Sequence, residues 1–175
     1  MIASRDGGNT WVELREGLHL DVHAIACTPG EGADVLHAVT GQGFFRSQDA
    51  GRTWESACIG FASLYLAPLA VHPDRPKVLL TAATQGRPRY WRGRTGGACA
   101  TIYRSENGGT TWEAVMGGLP ETLPGAVEVL AVEPGDVDTV YAGTADGKVL
   151  VSRSLGNSWS VLAEGLPPVH ALAVV

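Results

Sequence analysis

The sequence predicts an all-β protein, a β-propeller of four-stranded antiparallel blades with about three complete blades and one split or incomplete blade. Two observations predict this fold class. An eight-residue turn motif occurs four times, and a short apolar segment of the Leu-Ala-Val type recurs in step with it. Repeats of about 40–50 residues with four strands each are typical of propeller blades. A helical fold is disfavoured, because no segment keeps a period near 3.6 residues.

The turn motif has the pattern Ser-x-Asp-x-Gly-x-Thr-Trp. The third copy has Asn in place of Asp, and the fourth copy has Ser in place of both Asp and Thr. The motif residues that we expect to be structural are Ser4, Asp6, Gly8 and Trp11 in the first copy, Ser47, Asp49, Gly51 and Trp54 in the second, Ser105, Asn107, Gly109 and Trp112 in the third, and Ser152, Gly156 and Trp159 in the fourth.

Each turn motif follows an apolar segment, which predicts a β-hairpin with the motif at its turn. The Asp49 carboxylate is expected to accept hydrogen bonds from the N–H groups of its own turn. Gly51 permits a backbone conformation that a Cβ atom disfavours. Trp54 opens the next strand and is large enough to anchor one sheet against its neighbour. We expect the four tryptophans to occupy equivalent buried positions on one face, with Trp11 the least buried.

This motif resembles the Asp-box, or BNR repeat, of sialidases, xyloglucan-degrading enzymes, sortilin-type receptors and the photosystem II assembly factor. The resemblance covers nearly the whole chain and implies a β-propeller with each box between the third and fourth strands of a blade. It further implies that ligands bind on the face opposite the boxes. Because the box is structural in those families, the resemblance says little about activity.

The repeats divide a single domain over residues 1–175 into blades. The motif tryptophans follow one another at intervals of 43, 58 and 47 residues. The first strand of a repeat stops at a proline, which cannot donate a hydrogen bond to a ladder. The predicted complete blades span residues 22–58, 66–116 and 127–163. Residues 1–15 and 169–175 are predicted to be incomplete blade pieces, the second of them a lone first strand.

The incomplete pieces leave three arrangements open. The two ends of the chain could share a fourth blade, two chains could complete one ring, or the chain could be a piece of a longer propeller. We favour the last arrangement, because a ring closed from this chain alone would lack one strand and leave an open blade edge.

Composition narrows the class of protein. Of the 175 residues, 45% are hydrophobic and 18% are charged, which is ordinary for a globular protein. No apolar run is long enough to span a bilayer, and no signal peptide is recognised, so a cytoplasmic location is expected if Met1 is the true start. Cys27, Cys58 and Cys99 lack metal-ligand spacing and are expected to be buried or free thiols. No metal and no cofactor are predicted.

A glycoside hydrolase needs two carboxylates that flank the scissile bond. Acidic residues on the predicted ligand face are Asp21, Glu121, Glu128 and Asp146. Their settings match no catalytic motif, so solvated loop acids are the alternative interpretation and no catalytic residue is assigned. A sialidase would need arginines from three separate blades, whereas the arginines here crowd into one loop. His37 and His72 fall in or beside strands and are predicted to be hydrogen-bonded structural residues.

The basic loop Gln85–Cys99 is the candidate binding site. Between Asp74 and Glu106 there are seven basic residues and no acid, whereas the remainder of the chain carries 6 basic and 18 acidic residues. The predicted ligand contacts are Arg87, Arg89, Trp91, Arg92 and Arg94. Arginines beside aromatic rings suit an anionic ligand. The alternative is a solvated loop whose arginines pair with the acidic remainder.

These features predict a non-catalytic propeller module that presents a binding surface to a partner protein or to an anionic carbohydrate. Part of a glycoside hydrolase, sialidase-like or xyloglucanase-like, is the alternative function. An assembly factor similar to that of photosystem II is a third hypothesis. Nucleic acid is not an expected partner, because a chain that is acidic outside one loop is a poor generic binder of phosphate backbones.

Overall fold

The computed structural model describes residues 1–30, 34–91, 96–136 and 138–174. These residues form fourteen β-strands and one short 3-10 turn at Pro88–Tyr90. The strands are β1 (Ile2–Ala3), β2 (Val12–Glu13), β3 (Val22–Thr28), β4 (Val35–Thr40), β5 (Gly43–Ser47), β6 (Glu55–Ser56), β7 (Tyr65–Val71), β8 (Leu79–Thr84), β9 (Thr101–Ser105), β10 (Glu113–Ala114), β11 (Val127–Val132), β12 (Val140–Thr144), β13 (Val149–Ser152) and β14 (Ser160–Ala163). Among the described residues, no helix is long and apolar enough to cross a membrane.

The strands form three four-stranded antiparallel sheets in simple sequence order. Blade 1 consists of β3–β6, blade 2 of β7–β10 and blade 3 of β11–β14, while β1 and β2 pair as an N-terminal hairpin. The first strands of the blades, β3, β7 and β11, contact one another in turn. The predicted fold class is therefore confirmed: the chain is a β-propeller arc of three complete blades and an incomplete one.

Apolar side chains fill the space between neighbouring blades. Phe44 of blade 1 packs edge-on against Trp112 of blade 2, with ring centroids 4.9 Å apart. Leu80 and Ile102 of blade 2 are fully buried in a cluster with Val140 and Leu150 of blade 3. Alternate residues of the middle strands face opposite neighbours, which is why these strands are almost continuously apolar.

The C-terminal segment differs from the sequence prediction. Residues 169–175 were predicted to be the first strand of a further blade, but residues 169–174 carry no strand and Val175 lies outside the described residues. A strand requires a ladder partner, and β1 and β2 pair only with each other within the described residues. The segment is instead tied to blade 3, where the Val169 N–H donates to the Thr144 carbonyl over 3.0 Å.

The turn motif is closed by its own side chains. The Gly51 N–H donates to Ser47 Oγ over 2.8 Å, and the Thr53 N–H donates to Asp49 Oδ1 over 2.9 Å. The Thr53 hydroxyl donates to Asp49 Oδ2 over 2.7 Å. Hydrogen bonds from the Thr53 N–H, the Thr53 hydroxyl and Ser47 lower the pKa of Asp49 to about 2. The first copy has the same geometry, and the pKa of Asp6 is likewise lowered to about 2, chiefly by the Thr10 hydroxyl.

The two divergent copies keep the shape of the turn with neutral groups. In the third copy the Thr111 N–H donates to Asn107 Oδ1 over 3.0 Å. In the fourth copy the Ser158 N–H donates to Ser154 Oγ over 3.0 Å. The residue before the motif glycine also has a positive φ angle, and in the fourth copy this residue is Leu155 with φ of 52°. That position favours glycine or Asn, so the fourth turn carries backbone strain.

The tryptophans only partly follow the expectation of equivalent burial. Trp54, Trp112 and Trp159 are 5%, 5% and 4% exposed, and their side chains lie in the cores between blades. Trp11 is 59% exposed, so it is the least buried, as expected, but the prediction that it is buried is wrong. The physical reason is that the described residues provide no preceding unit for the Trp11 ring to pack against.

A backbone contact couples three of the four turn motifs to the preceding unit of the arc. The N–H groups of Trp54, Trp112 and Trp159 donate to the carbonyls of Glu16, Ile59 and Gly117 over 2.9, 2.9 and 2.8 Å. The acceptor is followed each time by a glycine with positive φ, namely Gly17, Gly60 and Gly118. A Cβ atom on any of these glycines would collide with the carbonyl oxygen of the tryptophan. We term this arrangement the Trp–Gly contact.

Candidate functional site

The basic loop lies at the end of the blades opposite the turn motifs. It connects β8 to β9, whereas the turn motif of the same blade connects β9 to β10. Successive connections of an antiparallel meander alternate between the two ends of the sheet. We term the end that carries residues 14–21, 57–64, 85–91, 96–100, 115–126 and 164–169 the loop face.

The base of the basic loop is anchored on both sides. The Gln85 N–H donates to the Ala98 carbonyl over 2.9 Å, and the Ala98 N–H donates to the Pro124 carbonyl over 2.8 Å. Ala100 and Leu123 exchange two backbone hydrogen bonds of 2.8 Å. The loop is thus fastened to the connection between blades 2 and 3, and its position on the loop face is defined by backbone bonds.

The described tip of the loop exposes an arginine and an aromatic ring together. The Arg89 guanidinium lies over the Tyr90 ring, 4.6 Å from its centroid, and Arg89 Nη2 donates to the Tyr90 hydroxyl over 2.6 Å. Tyr90 is 55% exposed. The indole of Trp91 faces back into the loop, where Nε1 donates to the Gly86 carbonyl over 3.0 Å. Trp91 therefore supports the loop, and Tyr90, which was not among the predicted contacts, offers the exposed aromatic surface.

The predicted basic contacts are only partly described. Arg92 and Arg94 lie outside the described residues. Arg87 and Arg89 make no ion pair with any acid in the part of the chain that the structure describes. The alternative interpretation, in which the loop arginines pair with the acidic remainder, has no contact to support it at these two residues.

A groove of about 360 Å³ lies beside the loop on the same face. Its lining includes Ala62 and Ser63, the loop residues Gln85 and Cys99, and Glu121. Tyr103 closes its inner side and accepts a hydrogen bond of 3.2 Å from the Ala62 N–H at its hydroxyl. Ser63 and Gln85 also border a shallower depression that reaches Gly86 and Tyr90. A volume of this size suits a small ligand or one side chain of a larger partner.

Polar side chains also converge where the innermost strands begin. The ring of His23 at the start of β3 packs against the ring of Tyr65 at the start of β7, with ring centroids 4.7 Å apart and planes tilted by 50°. His23 Nε2 lies 3.4 Å from Asp21 Oδ1. The pKa of Tyr65 is raised, first by burial and then by the negative charges of Asp21 and Glu128, while the positive charge of Arg87 opposes the rise. We term Asp21, His23, Tyr65 and Glu128 the strand-start cluster, and the positive charge of Arg87 in the basic loop acts on Tyr65.

The strand-start cluster was missed at the level of single residues. Asp21 and Glu128 were weighed as possible glycosidase carboxylates against solvated loop acids, but not as neighbours of an aromatic residue, and His23 and Tyr65 were not singled out. The signal that could have found them is the repeat itself, because Val22, Tyr65 and Val127 begin the first strands of the three blades. Residues beside these positions must meet near the centre of a propeller.

The remaining predicted candidates have structural partners. Asp146 accepts a hydrogen bond of 2.6 Å from the Thr144 hydroxyl inside the turn between β12 and β13. His37 is buried and its Nε2 lies 2.9 Å from the Thr28 hydroxyl. His72 is also buried, and its Nδ1 accepts from the N–H groups of Asp74 and Arg75. Both histidines are hydrogen-bonded, as expected. Cys27, Cys58 and Cys99 are free thiols.

No protein-family model matches the chain, and no curated protein matches it. Comparison with solved structures does find relatives of the fold. The chain is similar to an ancestral GH74 enzyme (TM-score 0.69, 22% identity, 89% of this chain and 20% of that chain) and to the GH74 xyloglucanase from Xanthomonas campestris (TM-score 0.65, 21% identity, 90% and 26%). It is also similar to YCF48 bound to D1 peptide (TM-score 0.53, 13% identity, 76% and 37%).

The shared feature is the β-propeller fold. At these identities the likeness extends to the fold alone. The chain spans about a fifth to a quarter of the length of the two GH74 proteins. The relatives include enzymes as well as a protein described in complex with a peptide, so the fold by itself accommodates both catalysis and binding.

Proposed function

We propose that the chain is a non-catalytic β-propeller module of the Asp-box type that binds an acidic segment of a partner protein on its loop face. The observation that carries this proposal is the state of Arg87 and Arg89, which have no ion pair within the described residues of a chain with a net charge of −5. An acidic segment would supply the missing carboxylates, and the fork of an arginine suits a carboxylate.

The aromatic residues and the groove extend the surface beyond charge. Tyr90 is held in place by Arg89 and presents an exposed ring at low cost in conformational entropy. The groove beside Ser63 and Gln85 has room for one side chain of the partner. The solved complex of YCF48 with D1 peptide supports this proposal by precedent, because a similar fold is found there with a bound peptide.

The test is binding of a fluorescein-labelled poly-L-glutamate peptide, measured by fluorescence anisotropy. Arg87, Arg89 and Arg92 are replaced together by Gln, which removes three positive charges. The matched control replaces Arg5, Arg52 and Arg153, which are exposed and lie in the turn motifs at the other end of the blades. We expect the loop variant to weaken binding at least tenfold and the control to change it less than twofold. Equal effects of the two variants would contradict the proposal.

Polygalacturonate serves as the second arm of the same experiment, because a polyanionic carbohydrate presents the same carboxylate chemistry. Binding of poly-L-glutamate with weak or absent binding of polygalacturonate supports a protein partner. The opposite preference would replace the protein partner by an anionic polysaccharide. An unchanged melting temperature of the loop variant confirms that the loss of binding does not come from unfolding.

Part of a glycoside hydrolase is the second candidate function, and one observation favours it. Asp21 directly precedes β3 of blade 1, Glu128 lies in β11 of blade 3, and the negative charge of each raises the pKa of Tyr65 at the start of β7. Two carboxylates on either side of a sugar are what glycosidic cleavage requires. Hydrolysis of fluorogenic glycosides or of xyloglucan that is abolished by either Asp21→Asn or Glu128→Gln would establish this function in place of the binding module.

A further inference from the structure

At the C-terminal end of the arc, the segment Glu164–Gly165 matches the acceptor side of the Trp–Gly contact but receives no tryptophan from the described residues. The glycine of the Trp–Gly contact directly follows the acceptor residue. It lies six residues after the motif tryptophan of its own repeat in all four repeats, as Gly17, Gly60, Gly118 and Gly165. Gly165 has a positive φ angle of 76°, as the other three glycines have positive φ angles of 79° to 104°. A Cβ atom on Gly165 would meet no atom within 4 Å, whereas a Cβ atom on each of the others would collide with a tryptophan carbonyl.

The apolar residue after the glycine is covered by a tryptophan in units that have a following blade, but it is exposed after Gly165. Leu18 is 8% exposed and lies in a cluster with Trp54, and Phe61 stacks near Trp112 with ring centroids 5.0 Å apart. Leu166 occupies the corresponding place after Gly165 and is 45% exposed. Val161 and Leu162 beside it are 50% and 57% exposed. The end of blade 3 is therefore shaped to accept a tryptophan that the described residues do not supply.

The N-terminal hairpin carries the complementary half. Its turn is fully formed, since the Gly8 N–H donates to Ser4 Oγ over 2.7 Å and Trp11 Nε1 donates to the Gly8 carbonyl over 3.1 Å. The second copy has the same two bonds, at 2.8 and 3.1 Å. The backbone N–H of Trp11 nevertheless has no acceptor among the described residues, and its ring is 59% exposed.

We propose that two copies of this chain associate head to tail, with the Glu164–Leu166 segment of one copy receiving the Trp11 turn of the other. The Trp11 N–H would donate to the Glu164 carbonyl, the Trp11 carbonyl would lie against Gly165, and the Trp11 ring would cover Leu166. The contact is continuous with an interface that the chain already forms three times between its own units. Exposed apolar residues on both halves, Ile2 and Val12 with Trp11 and Val161 and Leu162 with Leu166, would be buried together.

This interface is heterologous, because different surfaces of the two copies meet. A heterologous contact gives a closed ring when the rotation between copies closes, and a filament when it does not. Both halves are preformed, so association would need little reordering of the backbone. The proposal is independent of the basic loop and concerns the ends of the arc.

The experiment measures mass in solution by light scattering after size-exclusion chromatography over a concentration series. The variants are Trp11→Ala and Gly165→Ala. The matched control is Gly135→Ala, because Gly135 has a φ angle of 86° and an equally open surrounding, but it lies outside the contact. We expect either variant, but not the control, to raise the dissociation constant at least tenfold. A wild-type chain that stays monomeric at 100 μM would overturn the proposal, as would an effect of the control equal to that of Gly165→Ala.

Mixing the two variants gives a sharper outcome. The Trp11→Ala copy keeps an intact Gly165 end, and the Gly165→Ala copy keeps an intact Trp11 turn. The proposal therefore predicts that the mixture forms a one-to-one complex through a single contact, although each variant alone is monomeric. Absence of that complex in a mixture of folded variants, with folding checked by circular dichroism, would contradict the head-to-tail contact.

Discussion

The backbone N–H of Trp112 donates to the carbonyl oxygen of Ile59 over 2.9 Å, across the boundary between blade 1 and blade 2. The same residue places its indole between the two blades, where it meets Phe44 and Phe61. The tryptophan of the turn motif thus has two structural roles. It ends the turn of its own blade, and it connects that blade to the preceding unit. Its loss is expected to affect both.

The first prediction compares two tryptophans of the same motif. Trp54→Ala should lower the free energy of unfolding by about 3–5 kcal/mol, because a large buried aromatic leaves a cavity between units. Trp11→Ala should change it by less than about 1 kcal/mol, because Trp11 is mostly exposed in the single chain. Urea unfolding at a concentration below any association checks both values. A similar loss for the two variants would show that exposure does not distinguish the two sites.

The second prediction concerns the fourth turn motif, where Ser154 replaces the aspartate. Ser154→Asp should raise the free energy of unfolding by about 1 kcal/mol and the melting temperature with it. The reason is that a carboxylate accepts from the Ser158 N–H and hydroxyl more strongly than a hydroxyl does. Differential scanning calorimetry measures the shift. Asp49→Ser makes the reverse change in a turn of the same shape and should lower the melting temperature; an unchanged or lower value for Ser154→Asp would contradict the argument.

The third prediction is a pH dependence of stability that comes from His37. Burial, and then the positive charge of Arg46, lower the pKa of His37 from 6.5 to about 4. In the unfolded chain the imidazole takes up a proton as the pH falls through 6.5, but in the folded chain it does so only near pH 4. The free energy of unfolding should therefore decrease between pH 6.5 and pH 4, and the contribution of His37, as much as about 3 kcal/mol, is fully lost below pH 4.

Two histidine substitutions test whether His37 causes this pH dependence. His37→Gln keeps a group that can reach the Thr28 hydroxyl but cannot be protonated, so it should flatten the slope between pH 6.5 and pH 4. His170→Gln removes a mostly exposed histidine and should leave the slope intact. The low pKa values of Asp6 and Asp49, about 2, contribute stability that is lost only as the pH falls from about 4 to about 2, outside this window. A slope that survives in His37→Gln would assign it to other groups.

Sequence reasoning succeeded where a local rule repeats. Ser47, Asp49 and Gly51 define one turn by their own hydrogen bonds, so four copies of the pattern predicted the hairpins and the blades. It failed where the outcome depends on a distant neighbour. The exposure of Trp11 follows from the lack of a packing neighbour for its ring among the described residues, and no feature of residues 4–11 reveals it. The predicted strand at residues 169–175 likewise needed a ladder partner that the motif pattern could not supply.

Some features of the candidate site could be predicted from the sequence, and others could not. The one-sided charge of the basic loop is visible in the sequence, because no acid lies between Asp74 and Glu106. The roles of Trp91 and Tyr90 are not, because only the fold of the loop turns the Trp91 indole toward Gly86 and leaves the Tyr90 ring exposed. The repeat places Asp21, Tyr65 and Glu128 at or beside the starts of the first strands, but the effect of the two carboxylates on Tyr65 follows from the packing of the blades and is seen only in the structure.

Hydrogen–deuterium exchange with and without poly-L-glutamate tests the central claim most directly, namely that the loop face is the binding surface. The account predicts that the peptide slows exchange in residues 85–91 and at Ala62 and Ser63, while the turn motifs around Asp6, Asp49 and Asn107 exchange as before. Protection concentrated in the turn motifs, with the basic loop unaffected, would place binding at the other end of the blades and contradict the account.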